Sequence, residues 1–341
     1  MTNRRALAAA AVTVLAVTGI TGCGGHRGGT TAGAHAAGEV TCRISARARV
    51  AIATGNQTGT FFGFGSAIAE QLKAATSGRF KATAMTTGGS AQNIELLTKA
   101  RPQYDVAMVN AADAADALAG KGLFAGRPAA FAALSRLHTT YVHVIVRKDA
   151  GIRSLTDLRG KPVATGEPKS GTEESVKRVF DAAGMTLSDV HAQRLKPDGA
   201  ADELKTGKVA AMFWTAGLGG AAVKELFSTG RGQFGFLDVT DLLPKAKAVN
   251  AAFEAGVIPK SVYGADADAG ALTLTNYLLV RTDFDPNLAC VLTKTLFERK
   301  DSIAAASVSA KELDLAHARH TAPVPLHPGA AAALDKLGAP E

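Results

Sequence analysis

A chain of 341 residues, 47% hydrophobic and 20% charged, has an ordinary globular composition and room for two medium-sized domains. Its formal charge of +8 is spread along the chain with no basic block interleaved with aromatics. That argues against a nucleic-acid module and leaves a bias towards anionic ligands or surfaces.

The N-terminus carries Arg4 and Arg5, the apolar run Ala6–Val17, and Gly19-Ile20-Thr21-Gly22-Cys23. A basic start, a short apolar segment and small residues form a secretory signal, too short to span a bilayer. Ile-Thr-Gly-Cys is similar to the bacterial lipobox, in which the Cys is lipidated and becomes the first mature residue. The expectation is a signal peptide over 1–22, lipid on Cys23, a flexible tether over 23–44, and attachment to the outer face of the cell membrane. Cys42 and Cys290 are then an even pair in an oxidising compartment, open either to a disulfide or to two separate buried cysteines.

Beyond the tether, Arg49–Ala53 reads as a strand, Thr54–Gly59 as a loop of small polar residues, and the stretch to about Ala75 as a helix with Ile68 and Leu72 on one face. Such a strand–loop–helix passage places free backbone N–H groups at the carboxyl edge of a sheet, where an anion can sit. A tight βα turn without a ligand fits the same residues. Arg79–Thr86 alternates like a strand and enters Thr87-Gly88-Gly89-Ser90, with Ser90 placed to cap a helix over Ala91–Lys99 and Asn93 near its mouth. Tyr104–Val109 is a third strand, ending at Asn110 before the Ala-rich helix Ala111–Leu118. This βαβαβ order predicts a parallel sheet with helices on its faces and with its loops at one edge.

Thr140–Val146 is an apolar, β-branched strand, after which the pattern restarts. Ser154–Leu158 opens a short helix and Val163–Thr165 is a strand. Ser170 and Glu173 fit a capping box before a helix carrying Val176, Val179 and Phe180. Helix Ala200–Thr206, strand Val209–Phe213, helix Ala221–Phe227 and strand Leu237–Val239 follow. Gly270–Arg281 is a late strand, Leu288–Phe297 and Ile303–Val308 are helical, and Val324–Ala330 precedes a last Ala-rich helix. Two α/β units facing each other would enclose a cleft.

No catalytic constellation emerges. Gly166-x-x-x-x-Gly171 has phosphate-loop spacing, but Thr172 stands where Lys is needed. The glycines at 59, 63 and 65 miss the dinucleotide spacing, and neither Gly-x-Ser-x-Gly nor His-Glu-x-x-His occurs. His317 with His320, and Asp113 with Asp116, read as solvated helix faces. No cofactor or metal is implied. What remains is a set of polar helix mouths, Thr58–Phe61, Thr87–Asn93, Asn110 and Ser170–Thr172, suited to holding a carboxylate through neutral donors.

Five segments occur in an order that resembles the TAXI family of extracytoplasmic solute-binding proteins. They are Thr54-Gly-Asn-Gln-Thr-Gly-Thr-Phe-Phe62, Thr86-Thr-Gly-Gly-Ser-Ala-Gln-Asn93, Gly166-Glu-Pro-Lys-Ser-Gly-Thr-Glu173, Ile258-Pro-Lys-Ser-Val-Tyr-Gly264 and Pro325-Leu-His-Pro-Gly-Ala330. The resemblance implies an α/β, type II periplasmic-binding-protein fold, with lobe I over 45–142, lobe II over 143–270, and a return to lobe I with C-terminal helices over 271–341. It also implies a non-enzymatic protein that captures a glutamate- or glutamine-like amino acid or a dicarboxylate and hands it to a TRAP-type membrane permease. A lipid-anchored sensor of the same fold is the alternative. Carried onto this sequence, Thr58, Gly59, Thr60 and Phe61 form one wall, and Thr87, Gly88, Gly89, Ser90 and Asn93 a second. Ser170, Gly171 and Thr172 hold the ligand from lobe II, with Trp214 and Tyr263 nearby. Phe61-Phe62 stands where many members carry a Tyr, which removes a phenolic hydrogen bond and puts amino-acid specificity in question.

Overall fold

A computed structural model describes residues 39–99 and 103–341. The signal peptide, Cys23 and the tether up to residue 38 lie outside the described residues. Among the described residues no helix is long and apolar enough to cross a membrane.

The strands are β1 (Ala48–Ala53), β2 (Phe80–Met85), β3 (Val106–Asn110), β4 (Ala132–Arg147), β5 (Pro162–Ala164), β6 (His191–Gln193), β7 (Ala211–Ala216), β8 (Phe234–Phe236), β9 (Glu254–Ile258) and β10 (Ala269–Val280). The helices are α1 (Thr60–Ala75), α2 (Ser90–Leu97), α3 (Ala111–Ala119), α4 (Gly171–Ala182), α5 (Pro197–Lys205), α6 (Ala221–Thr229), α7 (Leu243–Val249), α8 (Lys260–Tyr263), α9 (Pro286–Glu298), α10 (Lys300–Ala306) and α11 (Pro328–Lys336).

The ten strands among the described residues join one sheet in the order β2-β1-β3-β10-β4-β7-β5-β6, with β8 on β4 and β9 on β10. Two parallel trios result, β2-β1-β3 and β7-β5-β6. Between them run β4 and β10, antiparallel to each other and to the trio on either side. At Tyr141, β4 passes from its partner on β10, Thr273, to its partner on β7, Ala216. One continuous strand therefore serves both halves of the sheet. Each trio has its own core: Ile52, Phe64, Ile68, Leu72, Phe80 and Leu292 pack on one side, and Val144, Val163, Val176, Val179, Phe180 and Phe213 on the other. Burying each of these side chains contributes about 1.5–3 kcal/mol, which fixes α1 and α4 firmly behind the loops that precede them.

Several expectations are corrected by packing. The strand expected over Thr140–Val146 begins eight residues earlier, at Ala132, because the small residues Ala132, Ala133 and Ser135 are buried between neighbouring strands. Trp214 belongs to β7 instead of following it. The strand expected over Leu237–Val239 lies at Phe234–Phe236. The end of the expected tether, Val40–Ile44, is pinned: Asn287 Oδ1 accepts from the Thr41 and Cys42 amides at 2.9 and 3.0 Å. Cys42 is disulfide-bonded to Cys290 one helical turn further along α9, with their Cα atoms 5.1 Å apart. The bond closes a 248-residue separation, the long-loop case in which a cross-link most restricts the unfolded chain.

Candidate functional site

Four helices start at the same edge of the sheet. Gly59 precedes α1 and Gly89 precedes α2, and neither start is capped by a side chain. The first-turn N–H groups of both helices thus lack an intrahelical or capping acceptor. Asn110 caps α3 by accepting from the Asp113 amide at 2.8 Å, and Ser170 caps α4 by accepting from the Glu173 amide at 3.1 Å. Between these starts lies a small pocket, with about 70 Å³ of interior open to the centre of a water-sized sphere.

One side of the pocket is formed by Gly55, Asn56, Gly59, Thr60 and Phe61, then Gly88, Gly89, Ser90 and Asn110; the other by Ser170, Gly171, Thr172, Trp214, Thr215 and Ala216. Thr140 of β4 and Asn276 of β10 complete the lining. The two sides touch. The Gly217 amide donates to Thr60 Oγ1 at 3.1 Å. A Cβ on Gly217 would stand 2.7 Å from Ser309 Oγ, so only glycine allows this approach. Gly89 has φ 110°, in the region that favours glycine, and a Cβ there would sit 3.3 Å from the Gly171 amide nitrogen.

Of the residues expected at the ligand, Gly59, Thr60, Phe61, Gly88, Gly89, Ser90, Asn110, Ser170, Gly171, Thr172 and Trp214 line this pocket. Thr58 and Thr87 line an adjoining outer opening instead. Asn93 is fully buried and occupied by the scaffold: its Nδ2 donates to the carbonyls of Thr54 at 2.6 Å and Met108 at 2.8 Å, and its Oδ1 accepts from Thr87 Oγ1. Ser90 does not cap α2. Its Oγ accepts from the backbone amide of Asn110 at 3.1 Å and from Asn110 Nδ2 at 3.2 Å. Glu173 does not complete a box with Ser170, because its Oε2 accepts from the Lys169 amide. Tyr263 stands behind the pocket, its hydroxyl accepting from the Gly219 amide at 2.8 Å and donating to His143 Nε2 at 3.0 Å. His143 Nδ1 lies near the carbonyls of Tyr141 and Trp214, which assigns the ring proton there. Burial pulls His143 down to about 4, against those carbonyls, and lifts the Tyr263 phenol to about 12.

Thr140, Thr215 and Asn276 were not singled out from the sequence. The signal that could have found two of them is a polar residue inside an otherwise apolar strand, where an unpaired side chain is costly. Among the described residues no charged side chain lines the pocket. The positive ends of α1, α2, α3 and α4 meet there. Asp113 stands in the first turn of α3 and Glu173 and Glu174 in that of α4, whereas α1 and α2 carry no acid in theirs. The attraction for an oxyanion therefore comes chiefly from α1 and α2.

Charge is placed below the pocket instead. Asp113 and Asp116, expected on a solvated face, are drawn in by Arg178 of α4, whose Nη2 meets Asp113 Oδ1 at 2.7 Å and Asp116 Oδ2 at 2.6 Å. Asn250 adds a hydrogen bond to Asp116 Oδ1 at 2.9 Å. Burial pushes the Asp113 carboxyl up, against the guanidinium beside it. His317 is exposed and paired with Asp314 at 2.6 Å.

Residues 52–338 match the model of the NMT1-like family. The chain belongs to that family. The architecture of this NMT1-like chain is a mixed α/β sheet of two parallel trios joined through an antiparallel pair. Among solved structures it is similar to the periplasmic aliphatic sulphonate binding protein SsuA from Escherichia coli, 17% identical over 84% of this chain and 82% of that one, with a TM-score of 0.46. A putative L-cystine ABC transporter from Listeria monocytogenes is 15% identical, with coverage of 77% and 97% and a TM-score of 0.47. A TctC solute binding protein from Polaromonas is 17% identical, with coverage of 77% and 88% and a TM-score of 0.46.

Proposed function

We propose that this NMT1-like protein is an extracytoplasmic solute-binding protein that captures a small organic anion, foremost a carboxylate, and delivers it to a membrane transporter. The observation that carries this reading is the convergence of helix N-termini from both halves of the sheet on one uncharged pocket. The lobes are 45–142 with 271–341, and 143–270; the chain crosses between them within β4 and at the start of β10. Ligand bridging Ser90 and Ser170 across the pocket stabilises the closed arrangement over an open one, and closure is what a permease reads. The TAXI resemblance specifies a TRAP-type permease, and the lipobox a lipid anchor on Cys23. The chemistry is binding without turnover, since no nucleophile with an adjacent base faces the pocket among the described residues.

A thermal-shift and calorimetry screen over small mono- and dicarboxylates, the matching sulfonates and amino acids tests the reading. A raised midpoint with saturable binding is expected, because a ligand that binds only the folded state stabilises it by mass action. If no anion shifts the midpoint while an ester or amide substrate is consumed, the reading is wrong.

A further inference from the structure

Asn276 sits where the register between β10 and β4 shifts by one residue, between Thr275 opposite Thr139 and Tyr277 opposite Arg136. Irregularities of this kind re-aim a side chain. The Asn276 side chain is fully buried. Its Nδ2 donates to the His138 carbonyl at 2.8 Å and to Thr140 Oγ1 at 2.7 Å. The His138 carbonyl fixes the amide's orientation, since turning it over would set two oxygens against each other. The other end of the amide, Oδ1, has no hydrogen-bond partner among the described residues, although the residue lines the pocket. Thr140 Oγ1 accepts from Asn276 and, among the described residues, donates to nothing. The far wall of the pocket therefore offers one buried acceptor and one buried donor side by side.

We propose that the ligand carries, besides its anionic head, a hydroxyl group that donates to Asn276 Oδ1 and accepts from Thr140 Oγ1. The inference rests on the solute-binding reading above and narrows it. A hydroxyl satisfies both wall groups, because it is donor and acceptor at once. A hydrogen in its place satisfies neither. An ammonium can donate to Asn276 but cannot accept from Thr140, and it would lie in the positive field of the helix starts with no carboxylate in the lining. The acidic side chain directly behind the lining, Asp113, accepts from Asn110 Nδ2 at 2.8 Å and is already paired with Arg178, while Glu167 and Asp198 line the adjoining outer opening together with Lys196. The specificity-determining pair is thus Asn276 and Thr140, and the preferred class is a hydroxy acid over the corresponding amino acid. Discrimination of this kind is large, because a site built around a hydroxyl leaves its own groups unpaired when an analogue lacks one.

The test is calorimetry with matched triads bearing hydrogen, hydroxyl or ammonium at one carbon: propionate, lactate and alanine; succinate, malate and aspartate; glutarate, 2-hydroxyglutarate and glutamate; ethanesulfonate, 2-hydroxyethanesulfonate and taurine. In the best-binding triad the hydroxy acid is expected to bind at least tenfold tighter than the parent acid and tighter than the amino compound. The same triads separate a carboxylate head from a sulfonate. Asn276→Leu and Thr140→Val are each expected to reduce the hydroxyl-to-parent ratio below threefold, a change that mere loosening of the fold would not cause. The near-isosteric Thr140→Val carries the test if Asn276→Leu does not fold. A parent acid or an amino acid that binds as tightly as the hydroxy acid overturns the hydroxyl inference and leaves solute binding standing. Absence of binding across all four triads removes both.

Discussion

The pocket and the ion cluster beneath it join the same helices in opposite ways. Asn110 belongs to both, lining the pocket on one side and donating to Asp113 Oδ2 at 2.8 Å on the other. In the cluster, Arg178 is matched by Asp113 and Asp116, so the charges that tie α3 to α4 are met within the protein. The lining of the pocket carries no charged side chain among the described residues, and its positive potential comes from backbone N–H groups, foremost those of α1 and α2, whose first turns hold no acid. A permanent contact can afford full charges only when they are paired. A contact completed by a ligand is better built from neutral donors, which leave no bare charge when the ligand departs.

The sharpest way to break this contrast is Arg178→Met. It strands the buried Asp113 carboxyl and should lower unfolding stability by about 3–5 kcal/mol, measured by urea denaturation at pH 7. The loss should shrink in acid, because burial already favours the protonated carboxyl. A loss below ~1 kcal/mol would mean that the cluster does not join the two halves.

Next comes pH. Burial holds His138 at about 3 and His143 at about 4, both below the 6.5 of an exposed imidazole. A depressed pKa gives stability that is complete above about pH 6.5 and is lost as pH falls towards the folded value. The slope is about 1.4 kcal/mol per pH unit for each histidine. The two differ in wiring: His143 is bonded at both nitrogens, whereas neither nitrogen of His138 has a partner among the described residues. His138 packs against Phe61 and Phe64, so His138→Phe should flatten the acid slope at little cost at pH 7. An unchanged slope would assign the acid loss elsewhere.

Smaller effects test the pocket walls. Phe61→Ala should weaken the best-binding acid roughly tenfold, about 1.4 kcal/mol, by calorimetry. Thr60→Val removes the acceptor of the Gly217 amide and should cost about 1 kcal/mol, or about fivefold in affinity. An unchanged affinity would show that this bond is not part of closure.

Much of the site was legible because its chemistry is local. Gly59, Gly89 and Ser170 sit at strand-to-helix turns whose composition announces free N–H groups. Asn93 misled for the same reason: its position beside a helix mouth is visible in the sequence, but the carbonyls of Thr54 and Met108 that occupy it arrive from other strands. Asp113 and Asp116 read as a wet face until Arg178, 62 residues beyond Asp116, is brought against them.

By itself, then, the sequence determined the alternation of strands and helices and the polar starts of α1, α2 and α4, since each depends on neighbours a few residues apart. Tertiary structure alone decided that β4 and β10 run through both halves, that Cys42 meets Cys290, and that Asn276 stands beside Thr140 in the wall of the pocket. The last two pairings join residues 248 and 136 positions apart. Only the closing of the sheet, with the burial that drives it, brings such residues within bonding distance.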